Sequence, residues 1–311
     1  MDAVSFLLVA VILTALAFDF TNGFHDTANS MATSIATGAL SPRVAVAVAG
    51  VLNLAGAFLS TEVAKTISGG IVENSEVSLV MIFAGLIGAI LWNLVTWLLG
   101  LPSSSSHALF GGLIGAVWVG AGGSAVRFGA IIEKIVIPAV ASPVVACVVA
   151  LLATYLAYVI TRRTSRRAVG KGFRAGQVGS ASLVALAHGT NDAQKTMGVI
   201  TLALISTGVL SHGAGPPWWV VLSAGLAISL GTYAGGWRII RTMGKQLTDI
   251  QAPQGFAAET SATAVILASS HMGFALSTTR CAPAASWARG WAASWHMCAG
   301  ESPGGSRCPG C

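Results

Sequence analysis

The sequence predicts an all-α polytopic membrane protein built from two inverted-topology repeats with broken helices and re-entrant hairpins. Three observations predict this. The 311 residues are 54% hydrophobic and only 9% charged, whereas soluble domains carry about 25% charged residues. Apolar stretches that approach the roughly 20 residues needed to cross a bilayer core recur along the chain. Two kinds of polar motif each occur once in either half. The net charge of +6 sits mostly in one loop and in the tail, so it reports topology and not a nucleic-acid partner.

The first apolar run, Ser5 to Phe18, has no basic leader and follows Asp2. It reads as a retained span over 4–18 and not as a cleaved signal. It enters NGFHDTANSMAT (22–33), where Asn22, His25, Asp26 and Asn29 crowd together just after Asp19. A charge at the bilayer centre costs roughly 2.5 kcal/mol or more, so this segment is expected to be a functional break in a helix. Spans follow over 43–60 and 78–99. The segment GLPSSSSHALFGGLIGAVWVG (100–120) is too polar at its start for a simple span. It predicts a hairpin: an apolar helix, a serine-rich tip and a second short helix. Such backbone is tolerated at membrane depth only where it lines a cavity. The run 130–160 is long enough to tilt, or to break near Pro138 and Pro143. Cys147 lies alone within it and reads as a small buried hydrophobe.

The stretch 161–176 carries Arg162, Arg163, Arg166, Arg167, Lys171 and Arg174 and no acid. Taken as a loop over 161–180, it is expected to be cytoplasmic. It separates a first transmembrane repeat (1–160) from a second, incomplete one (181–280), with spans over 181–187 plus 196–210, 217–236 and 256–275. The repeat rests on three matches. GLPSSSSH (100–107) pairs with GFALSTTR (273–280), setting Gly100 on Gly273 and Ser104 on Ser277. NGFHDTA (22–28) pairs with HGTNDAQ (188–194), and VAKTI (63–67) resembles IIRTM (239–243). The loop around Glu62, Glu73 and Glu76 is acidic, while its counterpart carries Arg238, Arg241 and Lys245 against Asp249. Opposite sides of the membrane explain that contrast, so the repeats are expected to be inverted, a secondary-transporter architecture.

Each half then offers two chemical pieces. The polar motifs bring Asn22, His25, Asp26 and Asn29, and His188, Asn191, Asp192 and Lys195. A carboxylate with amides and free carbonyls suits a hard cation such as Na⁺. A carboxylate beside histidine suits a proton relay. The hydroxyl tips, Ser103 to Ser106 and Ser277 to Thr279, offer many donors beside a helix N-terminus, which suits an oxyanion. His107 is as well explained by capping or packing at the tip. Ser105, His107 and Asp26 form no nucleophile elbow, so hydrolysis is not expected and the chain is not read as an enzyme.

With NGFHDTAN, AHGTNDAQK, PSSSSH, LSTT and GGWRIIRTMGKQLTDIQAPQGFAAE (235–259), the chain resembles the inorganic phosphate transporter (PiT) family over about residues 5 to 279. The resemblance implies a symporter without ATP or a bound cofactor, in the plasma membrane, with the lipid bilayer, phosphate and a coupling cation as its partners. It implies phosphate at Ser104, Ser105, Ser106, Ser277, Thr278 and Thr279. It implies cation or proton coupling at His25, Asp26, Asn29, Asn191 and Asp192, and more loosely at Glu62 and Glu259. His25, Gln194 and Lys195 depart from the usual pattern. That variant resembles a bacterial low-affinity branch read as proton-coupled, carrying phosphate with a divalent metal. Lys195 beside Asp192 also weakens a Na⁺ site by like-charge repulsion, so H⁺ is favoured over Na⁺. Sulfate or another oxyanion, a non-transporting remnant and a homodimer stay open.

After Thr279 the pattern ends. The repeat calls for His and a Gly-rich apolar helix, but the chain reads RCAPAASWARGWAASWHMCAGESPGGSRCPGC. Ala, Gly, Arg, Trp, Pro and Cys have GC-rich codons, as expected for a GC-rich gene read out of frame. A frameshift near residue 280, real or from sequencing, is therefore expected, and residues 281–311 read as an aberrant tail. Cys298, Cys308, Cys311 and His296 imitate a zinc site only by composition. The chain with this tail is expected to fold poorly or not to transport.

Overall fold

The structure is a computed structural model that describes residues 3–70, 77–101, 103–161, 166–234 and 252–274. Within these, all the regular structure is helical. The helices are α1 (Ala3–Ala36), α2 (Pro42–Gly56), α3 (Glu62–Gly70), α4 (Leu79–Leu99), α5 (Ser105–Ala121), α6 (Phe128–Ile131), α7 (Ile137–Thr161), α8 (Arg166–Ser206), α9 (Trp218–Ala234) and α10 (Ala252–His271). Three segments, Val4–His25, Leu79–Leu99 and Phe128–Leu156, are long and apolar enough to cross a membrane. Large apolar side chains such as Leu91, Trp92, Val95 and Leu98 on α4 and Val140, Val144, Val148 and Leu152 on α7 are exposed. Exposed apolar faces of this extent mark a lipid-facing surface.

The polar motifs differ from the sequence expectation. α1 runs unbroken for 34 residues through NGFHDTAN, and α8 for 41 residues through HGTNDAQK. The reason is physical. A helix pairs its own backbone groups at any depth, so polar side chains inside it need only partners on neighbouring helices. The 181–187 segment and the 196–210 segment as far as Ser206 are accordingly parts of one helix. The basic stretch is likewise helical from Arg166, not a loop to residue 180. In the long 130–160 run the irregularity is a π-helical turn at Ile132–Val136, just before Pro138. There Pro138 cannot donate the next backbone bond, and α7 continues through Pro143.

α4 and α5 form the expected hairpin. α4 ends on a left-handed Gly100 (φ 69°), and Leu101 N–H donates to Thr96 O at 2.9 Å. α10 ends in the same way: Gly273 has φ 74°, and Phe274 N–H donates to Ser269 O at 2.9 Å. Gly100 and Gly273 are the pair matched in sequence, and a left-handed helix cap is where glycine is favoured. The residues after Phe274, including Ser277, Thr278, Thr279 and the tail, lie outside the described residues.

The two halves clasp each other reciprocally. Gly23 on α1 lies against Ile228 O and Thr232 N of α9, and Gly189 on α8 lies against Asn53 of α2. In return, Gly231 of α9 lies against Phe20 O of α1, and Gly56 of α2 against Leu186 O and Thr190 N of α8. At each of these four sites an added Cβ would fall on backbone atoms. Gly23 and Gly189 are the glycines matched between the polar motifs. α1 and α8 also run antiparallel. Asn22 and Asp192 lie at one level, joined through the hairpin tip, while Ser34 and Ser180 both bond Glu259. Twelve residues forward on one helix (22 to 34) correspond to twelve back on the other (192 to 180), about 18 Å along the axis.

Candidate functional site

The α4–α5 tip docks into the middle of the molecule, between the polar motifs of α1 and α8. Ser104 caps α5, accepting a hydrogen bond from His107 N–H at 3.2 Å. The cap leaves the positive dipole end of α5 at the tip. The His107 ring nitrogen Nδ1 also lies 2.6 Å from Ser104 Oγ, so His107 serves the cap. Ser105 Oγ donates to Asn22 Oδ1 of α1 at 2.5 Å. Ser106 Oγ accepts from Lys195 Nζ of α8 at 2.5 Å. Ser103 Oγ donates to Thr96 Oγ1 at 3.0 Å, and His25 Nε2 lies 3.2 Å from the same Thr96 oxygen. The serine tip, His25 and Asn22 thus form one hydrogen-bonded unit.

On α8 the polar residues recur at positions 188, 191, 192, 195 and 196, one face of a helix. Asp192 is fully buried and is held by neighbours on its own helix. His188 Nδ1 lies 3.0 Å from Oδ2, Asn191 Nδ2 donates to Oδ1 at 2.8 Å, and Lys195 Nζ pairs with Oδ1. Lys195 is itself only 1% exposed. A buried ammonium persists only when paired, and here it is held between the Asp192 carboxylate and the tip hydroxyl of Ser106. Ser270 Oγ of α10 lies 3.5 Å from Asn191 Oδ1, so the second hairpin's first helix reaches the same network. Gln194 serves the fold: its Oε1 accepts from Val63 N–H at 2.7 Å and caps α3, while its Nε2 donates to Thr190 O.

The expected site residues therefore separate into groups. Ser104, Ser105, Ser106, His25, Asn191 and Asp192 come together. Asp26 and Asn29 lie within α1, but their side chains fall outside the described residues. Glu259 is buried away from the tip, accepting from Ser34 Oγ at 2.8 Å, Ser180 Oγ at 2.6 Å and Gln177 Nε2 at 3.4 Å. Glu62 lies at the start of α3, half exposed and paired with Lys65 at 2.8 Å. Sequence reasoning left two buried groups without a role, Asp19 and Thr196, beside Asn22 of the first polar motif. The signal for Asp19 was present, since it lies seven residues, two helical turns, before Asp26.

Lipid-facing helices around a buried network of ions and hydroxyls define a multi-pass membrane protein that handles small polar solutes. Residues 22–172 and 160–301 match the family described as the phosphate transporter family (PHO4), and the chain belongs to it. The chain is 59% identical over 278 residues to the "Probable low-affinity inorganic phosphate transporter" of Mycobacterium bovis, covering 89% of this chain and 67% of that protein. It is 41% identical over 281 residues to the protein of the same description from Bacillus subtilis, covering 90% and 84%. The fold is similar to a solved structure of a sodium-dependent phosphate transporter, with TM-score 0.83 and 23% identity, covering 94% of this chain and 91% of that one. The family places the protein in the cell membrane as a multi-pass transporter, not an enzyme.

Proposed function

We propose that this chain is a secondary symporter that carries inorganic phosphate into the cell together with protons. The observation that carries the reading is Lys195, buried against Asp192 with its ammonium on Ser106 Oγ. A fixed positive charge beside three serines and the N-terminus of α5 makes an anion site. Arg or Lys is not required for such a site, but a resident ammonium strengthens it. The Asp192 carboxylate already holds this ammonium, so a Na⁺ ion would have to displace it to use that ligand. This favours H⁺ over Na⁺ as the coupling ion. The full anion site would pair this tip with Ser277, Thr278 and Thr279.

The antiparallel course of α1 and α8 supports inverted repeats, with alternating access around the meeting point of the two tips. The basic start of α8 is read as cytoplasmic. A phosphate that keeps a proton donates a hydrogen bond, and sulfate does not, so a carboxylate facing the anion favours phosphate. A second reading follows from the residues after Thr279: a family member that does not transport as it stands.

The test is radiolabelled phosphate uptake in cells stripped of their own phosphate transporters. It compares this chain with a version whose frame is restored after Thr279. Uptake by the restored chain that sulfate does not compete away is the expected result. Uptake blocked by equimolar sulfate would turn the reading to another oxyanion. Equal uptake by both chains would remove the claim that the tail is damage.

A further inference from the structure

We propose that Asp19, with Asn22 and Thr196, forms the site that takes up the coupling proton. The inference rests on the phosphate and proton reading above and assigns the proton to one carboxylate. Asp19 is 0% exposed, and among the described residues neither carboxylate oxygen has a partner in good hydrogen-bond geometry. Asn22 and Thr196 stand beside it as its polar neighbours, and their Nδ2 and Oγ1 atoms are likewise buried without a well-formed hydrogen bond among the described residues. Three buried polar groups that face one another without closing good hydrogen bonds are rare in a folded interior, because each unmade hydrogen bond is costly.

The charges around the cluster decide what it holds. α8 presents Asp192 and Lys195 to Asp19. These two pair with each other, and His188 bonds Asp192. α2, α4, α5 and α9 also pack on α1. At this level their described residues are Asn53 (bonded to Thr232), Asn93 (bonded to Thr21), Ser105 and Thr232, none of which titrates. His25 is one and a half turns further along α1 and is held by Thr96, and His107 on α5 is held by Ser104. Glu259 bonds Ser34, fifteen residues along α1 (19 to 34), about 23 Å away. Among the described residues the Asp192–Lys195 pair is neutral as a unit, so an ionised Asp19 adds one buried negative charge to them. Such a group either binds a cation or takes a proton.

The donor set favours the proton. Asn22 Oδ1 is already taken by Ser105, so Asn22 offers its amide nitrogen, which does not ligate a hard cation. Ionised Asp19 can accept from Asn22 Nδ2 and Thr196 Oγ1. Protonated Asp19 can donate its new O–H to Thr196 Oγ1. The proton comes from the aqueous side to which the site is open and leaves to the other side, with no bond to phosphate made or broken. Coupling follows from charge. An incoming anion meets Ser105 and Ser106, and these touch Asn22 and Lys195, the neighbours of Asp19. Protonation removes the negative charge that repels the anion, and by reciprocity the anion favours protonation.

The test is isothermal titration of the purified chain, its frame restored after Thr279, with inorganic phosphate in two buffers of different protonation enthalpy. At one pH, the wild type should take up about one more proton per phosphate than Asp19→Asn. Asp19→Asn should still bind phosphate within about tenfold of wild type, and Asp19→Glu should restore the proton. Proton uptake that persists in Asp19→Asn would overturn the assignment while leaving proton coupling intact. Phosphate binding without proton uptake in the wild type, or dependent on Na⁺, would overturn the coupling reading and this site with it. If Asp19→Asn does not fold, Thr196→Val keeps the carboxylate and removes its partner. It should move the pH at which the proton is taken up, and an unmoved profile would overturn the proposal.

Discussion

Replacing Gly189 by Ala tests how the two halves hold each other. The helices α2 and α8 approach so closely that a Cβ at position 189 would overlap the backbone of Asn53, its carbonyl carbon lying 2.7 Å away. Backbone cannot swing aside as a side-chain tip does, so the helices must separate. Overpacking of a filled interior costs about 1–3 kcal/mol, which is roughly 5- to 150-fold in the folding equilibrium at 1.4 kcal/mol per tenfold. Reciprocity of the clasp makes a sharper demand. Gly23→Ala, with Thr232 N 2.9 Å from the added carbon, should cost a similar amount, as should Gly56→Ala and Gly231→Ala. Gly88→Ala and Gly111→Ala meet nothing within 4 Å and should be neutral or slightly stabilising. The assay is reversible denaturation in mild detergent followed by tryptophan fluorescence. Clasp variants as stable as the wild type, or a cost confined to one half, would refute the packing argument.

Four further outcomes are expected. Asp26→Asn or Asp192→Asn should abolish phosphate uptake in a frame-restored chain, and near-normal rates would refute their roles. Lys195→Met strands a buried carboxylate and should cost about 3–5 kcal/mol; adding Asp192→Asn should recover part of that, which a denaturation cycle of the two variants measures. Glu259→Gln weakens hydrogen bonds to a buried carboxylate, each worth about 1.5–3 kcal/mol, so a midpoint unchanged on denaturation would refute the network with Ser34 and Ser180. Glu62→Gln loses only an exposed pair with Lys65 and should change stability by less than about 0.5 kcal/mol.

The positions of α2, α4, α7 and α9 were legible in the sequence because apolar length fixes a span. So was the hairpin, because proline, four serines and a preceding glycine fit no helix interior. Two of the left-handed glycines, Gly100 and Gly273, fell where the repeat aligned them. The continuity of α1 and α8 was not legible. Asn, Asp and His disfavour helix only weakly, and the partners of Asn22 and His25, Ser105 and Thr96, come from residues distant in sequence. The partners of the Glu259 carboxylate were hidden for a related reason, since Gln177 and Ser180 fell in a stretch read as loop. Asp19 was passed over because it stands at the end of an apolar run, outside the motif. Only the packing of α1 on α8 reveals that it faces Asp192 and Lys195.

The central claim is proton-coupled phosphate movement through the site at the α5 tip, and proteoliposomes test it most directly. A frame-restored chain is reconstituted, and an inward proton gradient or an inward Na⁺ gradient is imposed separately. The account predicts phosphate accumulation driven by the proton gradient and indifferent to Na⁺. Accumulation that needs Na⁺ and ignores the proton gradient would contradict it.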